Sequence, residues 1–487
     1  MITRETLQHL PEGVAAPSYD LKDIKPGILH FGVGNFFRAH EAYYVEKVLG
    51  LPGQHQWGIV GVGLTSGERS KKKADDFTAQ NCLFSLTETA PSGESKRSVI
   101  GALRDYILAP EKPDAVLNLL SDPGIKIVSM TITEGGYNIN EHTGEFDLEN
   151  DAVQRDLANP EAPSTIFGYV VEGLRRRRDA GNRAFTIMSC DNLRHNGNVA
   201  RKAFLGFARA RDPELASWIE ANATFPNAMV DRITPTVSPA IAERLNRESG
   251  LDDLLPLVAE DFTQWVIEDE FADGRPAFEK VGVQMVEDVT DYEFMKIRML
   301  NASHIFLAFS GLLLGYDHID ESINDPDLRK LVEAYLDTDV IPTLKAAPGE
   351  DLEKYKESVI SRFSNPAMAD QNLRIGSDGQ SKVQVFWTVT IQNLLKGKLS
   401  IDRVAYGLAA YLEMLRGKNE KGGSFEPIEP TFTEETWKIA KSDDLEAGFA
   451  LPAFDGWRKL NHEKLDAKVI EKRRIIREKG VKAALPA

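Results

Sequence analysis

The sequence predicts an α/β fold in two parts, an open parallel sheet with interleaved helices followed by a mostly helical second domain. Two observations carry this prediction. Up to residue 288, short runs of apolar and β-branched residues alternate with stretches of helical period, as in βαβ units. From Asp291 onward the strand-like runs stop and helical periodicity continues. We therefore place the domains at residues 1–288 and 289–487, since 487 residues exceed what one core usually supports.

Composition and charge restrict the class of function. A net charge of −16 argues against general binding to nucleic acid or to anionic membranes, because both need a cationic surface. Only Cys82 and Cys190 are present, too few for a disulfide framework, and the N-terminal residues lack the apolar core of a signal peptide. The longest apolar run, residues 305–316, is shorter than the roughly 20 residues that span a bilayer. We expect a cytoplasmic protein with small-molecule partners.

The first strand is followed by a glycine turn that is typical of a dinucleotide site. In such turns the first glycine, here Gly32, permits the tight turn, and the second, Gly34, lets the backbone approach a pyrophosphate at a helix N-terminus. Phe37 stands where a third glycine would be, so a plain strand-to-helix turn is an alternative. Arg38 is either a cation for phosphate or an exposed helix charge. The candidate cofactor residues of this turn are Gly32, Val33, Gly34, Asn35, Phe36 and Arg38.

The ends of the later strands add further candidates. An acid just past the second strand binds the adenosine ribose hydroxyls and favours NAD over NADP, and Glu68 has that position. Arg69 beside it would instead suit the 2′-phosphate of NADP. Thr133 and Glu134 end another strand and should border the cofactor, because ligands collect outside the carboxyl ends of parallel strands. Asn192 follows the next strand and is either a ligand contact or a local cap.

One apolar helix, predicted over residues 291–316, carries an acid, an amine, an amide and an imidazole. With Lys296 at zero and about 100° per residue, Glu293 falls near ~60°, His304 near ~80° and Asn301 near ~140°. A lysine held in an apolar wall loses much of its preference for the charged form and can accept a proton near neutral pH. The structural alternative is a snorkelling lysine and a hydrogen-bonded core histidine.

Other polar residues stand in two further segments. Asp231 and Arg232 lie between apolar neighbours, where a structural ion pair is one reading. Arg374 and Lys382 belong to a polar, glycine-containing segment that we predict as a loop between helices. Their cations suit sugar hydroxyls, although a solvated loop has the same composition.

Several strings, in this order, resemble the mannitol dehydrogenase family, the polyol-specific long-chain dehydrogenases, over almost the whole chain. The chain departs from the family pattern at Gln384, where a proline is expected two residues after Lys382. The matching strings are residues 32–40, 131–137, 188–192 and 227–235, and the spacing Lys296-x4-Asn301-x2-His304.

The resemblance implies an N-terminal Rossmann domain and a helical C-terminal domain. It implies metal-independent hydride transfer between NAD and the C2 position of a polyol, with D-mannitol and D-fructose as the expected pair and D-arabinitol or D-sorbitol as further substrates. A monomer is favoured. Position by position, the resemblance implies that Lys296 is the general base, that Asn192 and Asn301 are the oxyanion donors, and that His304 holds the reacting oxygen. It also implies that Glu293 gates proton exchange between the lysine and water. The residues implied to bind the remaining hydroxyls are Asp231, Arg374 and Lys382.

Two alternatives stay open. A hexuronate oxidoreductase of the same family, acting on fructuronate or tagaturonate, would need an additional cation near Arg374 for the substrate carboxylate. A non-catalytic nucleotide-binding protein is the second alternative, and intact Lys296, Asn301 and His304 argue against it. No HxxH-like pair or cysteine cluster offers a zinc site, so we expect no metal.

Overall fold

The computed structural model describes residues 1–140 and 143–486, which fall into two compact units. The first comprises Met1–Ala90 and Glu94–Thr290, and the second Pro91–Gly93 and Asp291–Ala487. Strands alternate with helices in the first unit, whereas the second unit is helical. The predicted fold class is confirmed.

Five apolar runs of the first unit form a parallel sheet. In chain order these strands are β1 (Pro26–Phe31), β2 (Gly58–Gly63), β3 (Leu103–Leu108), β4 (Ile127–Met130) and β5 (Thr186–Ser189). Their order across the sheet is 3-2-1-4-5, the Rossmann arrangement, and all neighbours are parallel. The central strands are buried on both faces, which explains why they read as continuous apolar runs rather than as alternating ones. The order reverses between β1 and β4, where a ligand is expected.

Helices and two smaller sheets surround this sheet. The smaller sheets contain a mixed group of four strands and a group of three, which the sequence prediction largely missed because their strands are short and partly polar. The helices are Asn35–Ala39, Glu41–Leu49, Glu68–Ala79, Pro113–Ser121, Asp151–Ala158, Ile166–Asp179, Asn196–Arg211, Pro213–Asn222 and Pro239–Ser249. The further strands are Val14–Ala15, Phe84–Thr89, Ser95–Ile100 and Leu257–Glu260, and Ala228–Asp231, Gln264–Glu268 and Gln284–Val286.

The second unit is built around the helix Thr290–Leu314, which we call the central helix. By length and composition it could cross a membrane, and its apolar window is entirely buried inside the structure, as in the core helix of a globular domain. Residues Lys296–Asn301 within it are π-helical. The other helices of this unit are Ile319–Asn324, Pro326–Ala334, which continues as a π-helix over Tyr335–Val340, Leu352–Phe363, Asn372–Gly376, Gly379–Gly397, Asp402–Met414, Glu434–Ala440 and Glu463–Lys479.

One local prediction was wrong. The segment around Arg374 and Lys382 was predicted as a loop, but Arg374 lies in the helix Asn372–Gly376 and Lys382 in Gly379–Gly397. The glycines allow sharp turns between the helices instead of excluding them. At Arg232 the structure has an ion pair, the alternative that the sequence left open, and the partner is Glu88, whose Oε1 lies 2.7 Å from Arg232 Nη2.

Candidate active site

A cavity of about 560 Å³ opens at the switch point of the parallel sheet. Its walls come from the turns after β1, β2 and β4 and from the helix that begins at Glu68. These are the carboxyl ends of parallel strands, where the prediction placed the cofactor. The lining residues used below are Gly32, Val33, Gly34, Thr65, Ser70, Lys73, Ile132, Gly135 and Gly136.

The two glycines of the first turn serve different purposes. Gly32 has φ +94°, and a Cβ added there would lie 2.0 Å from the carbonyl oxygen of Thr131. Only glycine fits that position, because both the backbone conformation and the neighbouring strand exclude a side chain. At Gly34 an added Cβ would have only one heavy atom within 4 Å, at 3.8 Å. The second glycine therefore keeps space open in the cavity wall, as close approach of a pyrophosphate requires.

Phe37 takes the place of the third glycine without loss of packing. It is buried, and its ring stacks on the His30 ring at a centroid distance of 3.7 Å. His30 is held in turn by Ser129 Oγ at 2.8 Å from Nδ1 and by Glu41 Oε2 at 3.0 Å. This buried polar group fixes β1 against β4 directly beneath the glycine turn, so an aromatic ring replaces the close helix-to-strand contact that a glycine would allow.

Asp191 organises the opposite wall of the cavity. Its carboxylate accepts hydrogen bonds from the backbone N–H groups of Ile132 at 3.0 Å and Thr133 at 2.9 Å, and from the Tyr137 hydroxyl at 2.6 Å. Burial raises the pKa of Asp191, and the three donors oppose that shift. Thr133 has φ 64° and ψ 167°, a conformation that costs a β-branched residue energy and persists only when its surroundings enforce it. Asp191 provides that enforcement.

The predicted cofactor residues fall into two groups. Gly32, Val33 and Gly34 line the cavity. Arg38 points away from it: the guanidinium is buried, Nη1 donates to the Leu255 carbonyl at 2.8 Å, and burial lowers its pKa to about 10. Glu68 is exposed at the start of its helix. The predicted residues outside the lining are Asn35, Phe36, Arg38, Glu68, Thr133 and Glu134.

On the central helix, the π-helical segment begins at Lys296 and ends at Asn301. A π-helix has i→i+5 hydrogen bonds, so each residue turns through less than the ~100° of an α-helix. Around the helix axis, Asn301 and His304 therefore lie at smaller angles from Lys296 than those predicted for a regular α-helix. Such segments occur often at functional sites. The local geometry thus tightens the cluster that the spacing suggested.

Asn301 presents an unsatisfied donor. The residue is 7% exposed, and Nδ2 has no hydrogen-bond partner among the described residues. Leaving such a donor buried and unpaired costs about 1–3 kcal/mol. Lys296 is buried to the same degree, also at 7%. An amide N–H and an amine, both dry and on one helix, are suited to stabilise a negative oxygen and to accept its proton.

His304 is held by an aspartate that the sequence prediction missed. Its Nε2 lies 3.4 Å from Asp370 Oδ2, an ion-pair contact longer than a well-aligned hydrogen bond. Burial lowers the pKa of His304, so the ring is neutral near pH 7, and a proton on Nε2 facing the carboxylate leaves Nδ1 as an acceptor. The pKa of Asp370 is below its usual value, because burial, which would raise it, is outweighed by His304 and Arg374.

Arg374 and Lys382 gather around the same aspartate and histidine. The Arg374 guanidinium donates to Asp370 Oδ1, from Nε at 3.1 Å and also from Nη2. Lys382 Nζ donates to the Ile375 carbonyl at 2.9 Å. Both cations contribute to lowering the pKa of His304. The structure therefore places His304, Arg374 and Lys382 near one another.

The remaining predicted residues have these places. Glu293 is buried one turn before Lys296 on the central helix. In the first unit, Asn192 is exposed shortly after β5, and Asp231 is the buried last residue of the strand Ala228–Asp231. Across residues 1–140 and 143–486, no group of three or more histidine, cysteine or carboxylate side chains is arranged to hold a metal ion.

Three residues near these sites were missed: Asp191, Asp370 and Lys73. Asp191 and Asp370 belong to segments that the sequence had already singled out, each at a strand end or beside a candidate cation. For both aspartates, the sequence offered one signal of a functional role, an acid close to a candidate functional residue. Lys73 lies mid-helix among other charges and gave no signal.

Comparison with known proteins agrees with this geometry. Residues 26–280 match the mannitol dehydrogenase Rossmann domain, and residues 288–465 match the mannitol dehydrogenase C-terminal domain. A polyol:NADP oxidoreductase of Gluconobacter oxydans is 68% identical over 100% of both chains. A D-mannonate oxidoreductase of Escherichia coli is 40% identical over 86% of each chain.

Two solved structures are similar along the whole chain. A D-sorbitol dehydrogenase in substrate-free form has a TM-score of 0.93 at 68% identity, covering 100% of both chains. The mannitol 2-dehydrogenase of Pseudomonas fluorescens, in a ternary complex with NAD and D-mannitol, has a TM-score of 0.91 at 43% identity. That match covers 99% of this chain and 98% of the other.

Proposed function

This chain belongs to the mannitol dehydrogenase family, and from that premise we propose that it is a metal-independent polyol 2-dehydrogenase. The proposed reaction interconverts D-mannitol and D-fructose with a nicotinamide dinucleotide, and D-sorbitol and D-arabinitol are further candidate polyols. The observation that carries the proposal is the unpaired, buried amide N–H of Asn301 on the same helix as Lys296 and His304. A donor of this kind is costly unless a ligand oxygen satisfies it.

The side chains divide the chemical work as follows. Lys296 accepts the proton of the C2 hydroxyl. As alkoxide character develops on that oxygen, Asn301 donates to it, and Asn192 is proposed as the second donor from the family resemblance. His304 is proposed to hold the reacting oxygen in place, with its ring positioned by Asp370. When bound, the nicotinamide supplies the acceptor for the hydride.

The other predicted site residues keep their proposed roles. Glu293, buried near the base, is proposed to pass the proton between Lys296 and water. Asp231 and Lys382 are proposed to bind the remaining substrate hydroxyls, with Arg374. The proposed partners are small molecules only, and the proposed oligomeric state is a monomer, which size-exclusion chromatography tests. A cytoplasmic location stays a prediction.

A hexuronate oxidoreductase is the second candidate function, since a D-mannonate oxidoreductase shares 40% identity with the chain. Such a substrate brings a carboxylate that needs a cation. The Arg374 guanidinium is already paired with Asp370, and its side chain is 47% exposed. A uronate would have to compete with Asp370 for this guanidinium, which favours a neutral polyol as the substrate.

The proposed reaction can use NAD or NADP as its nicotinamide dinucleotide. The sequence-based prediction was NAD, on the strength of Glu68. The Gluconobacter oxydans relative is named for NADP, whereas the Pseudomonas fluorescens enzyme was solved in complex with NAD. The two cofactors differ by one phosphate on the adenosine ribose, so the residues around that phosphate decide between them.

The test is a spectrophotometric screen of NADH and NADPH oxidation with fructose, xylulose, fructuronate and tagaturonate. We expect turnover of fructose, with activity retained after dialysis against a chelator. Turnover of uronates alone would replace the proposed substrate with the second candidate. Binding of the reduced cofactor without turnover of any ketose would favour a non-catalytic nucleotide-binding protein.

Two variants test the roles on the central helix. Asn301→Ala should lower kcat about 100-fold or more, as loss of an oxyanion donor does, without lowering the urea midpoint, because the amide N–H that it removes has no partner. Lys296→Ala should abolish turnover at pH 7, whereas Lys330→Ala, an exposed lysine of the same unit, should not. Full activity in the Lys296 variant would contradict the assignment of the base.

A further inference from the structure

One wall of the cavity, formed by the segment after β2, carries a cation and two hydroxyls. Thr65, Ser70 and Lys73 all line it. The Thr65 and Ser70 hydroxyl oxygens lie 2.9 Å apart, and Lys73 Nζ donates to the carbonyl oxygen of Val33 in the glycine turn. Lys73, which is half-buried at the cavity edge, thus connects the helix Glu68–Ala79 to the glycine turn.

The position of these residues identifies what they face. In a 3-2-1-4-5 sheet, the adenosine ribose of a dinucleotide lies between the glycine turn and the end of the second strand, and the residues past that strand meet its 2′ oxygen. β2 is the second strand here. An enzyme that prefers NAD has an acid at this place, which accepts from the ribose hydroxyls. The cavity lining of this chain has hydroxyls and an ammonium there instead, and Glu68 is exposed outside it.

The electrostatics of Lys73 differ from those of its neighbours. Lys71 pairs with Glu111 and Lys72 with Asp76, but the ion pairs of the described residues include none at Lys73. Burial, followed by the nearby charges of Arg38 and Arg69, lowers the pKa of Lys73 to about 8. A half-buried cation held among other cations and bonded only to a neutral carbonyl is placed where an anion would satisfy it.

We propose that Lys73, with the hydroxyls of Thr65 and Ser70, binds the phosphate on the 2′ carbon of the adenosine ribose and makes the chain prefer NADP to NAD. This inference rests on the proposed dinucleotide-binding function and reverses the cofactor preference drawn from Glu68. Lys73 is thereby a specificity-determining residue, and Arg69 adds a second positive charge close to it.

The first test measures binding without turnover. Isothermal titration of the wild-type protein at pH 7 compares adenosine 2′,5′-bisphosphate with adenosine 5′-monophosphate. We expect the bisphosphate to bind about 10- to 100-fold more tightly, the range of one to two charge-assisted contacts. Lys73→Met should remove most of that difference and leave monophosphate affinity within about twofold. Lys72→Met, on the same helix but paired with Asp76, is the matched control and should behave as wild type.

The second test measures cofactor selection during turnover with a single polyol. Lys73→Met should raise the KM for NADP at least 10-fold and leave the KM for NAD within about twofold. Ser70→Ala, a milder change that removes one hydroxyl, should raise the KM for NADP about threefold, which keeps the assignment testable if the lysine variant misfolds.

The outcomes separate this inference from the function on which it rests. Equal wild-type affinities for the two adenosine nucleotides, or an unchanged ratio in Lys73→Met, would overturn the phosphate site alone. Binding of neither nucleotide would overturn the dinucleotide-binding function and this inference with it. Tighter binding of the bisphosphate that depends on Lys73 supports both.

Discussion

Replacing Asp191 with alanine should weaken dinucleotide binding strongly and lower the free energy of unfolding only moderately. The change leaves the backbone N–H groups of Ile132 and Thr133 without an acceptor, at about 1–3 kcal/mol each. Tyr137 keeps Ser189 Oγ as a hydrogen-bond partner. Burial of the Asp191 carboxylate, which raises its pKa, costs free energy in the wild-type protein. The variant does not have this cost, so part of the lost stability is offset. We expect the free energy of unfolding to fall by about 2 kcal/mol.

The effect on cofactor binding should be larger, because Asp191 is what holds Thr133 at positive φ. Once the strain is released, the turn relaxes, and Ile132, Gly135 and Gly136 leave their places in the cavity wall. We expect the dissociation constant for the dinucleotide to rise at least 10-fold. Urea unfolding and isothermal titration on the same preparation measure the two effects separately.

Asp212→Ala is the matched control. Its carboxylate caps the helix Pro213–Asn222 by accepting from the backbone N–H groups of Glu214 at 2.9 Å and Leu215 at 3.1 Å. Loss of such a cap costs about 1 kcal/mol, and the helix does not line the cavity. An Asp191→Ala protein that binds the dinucleotide as tightly as wild type would refute the role of Asp191 in shaping the turn.

Three further predictions follow from the same contacts. Gly32→Ala should abolish dinucleotide binding, since its Cβ would lie 2.0 Å from the Thr131 carbonyl oxygen; titration measures this. Asp370→Asn should lower kcat about 10- to 100-fold with unchanged cofactor KM, because the His304 ring loses its orienting carboxylate; steady-state kinetics separate the two. Lys73 is cationic below its pKa of about 8, so the preference for NADP should be present at pH 6.5 and fall as pH rises through 8.

Each of these has a control. Gly53→Ala, at another positive φ but with no heavy atom within 4 Å of the added Cβ, should cost some stability and leave binding intact. Asp327→Asn, a surface acid of the second unit paired with Lys482, should leave kcat unchanged. A preference for NADP that stays constant up to pH 9.5 would argue against Lys73, whose pKa is about 8. Lys73→Met, which has no ammonium group to lose, is the control and should show no such pH dependence.

The family and the fold class could both be predicted from the residues alone, and the comparisons confirm them. Alternating strand and helix periods predict a parallel sheet because each signal is local. The glycine turn is also local: Gly32 is required by the backbone of its own turn. The spacing of Lys296, Asn301 and His304 was readable because one helix carries all three residues.

Which side chains reach a site depends on packing over long distances in the chain. Glu68 and Lys73 belong to one helix, and the sequence favoured the acid, but the direction of the helix over the glycine turn brings the lysine to the cavity instead. Asp191 and Asp370 act through partners 58 and 66 positions away, Thr133 and His304. Long-range contacts and the phase of a π-helical segment arise from packing of the whole unit, which local periodicity does not encode.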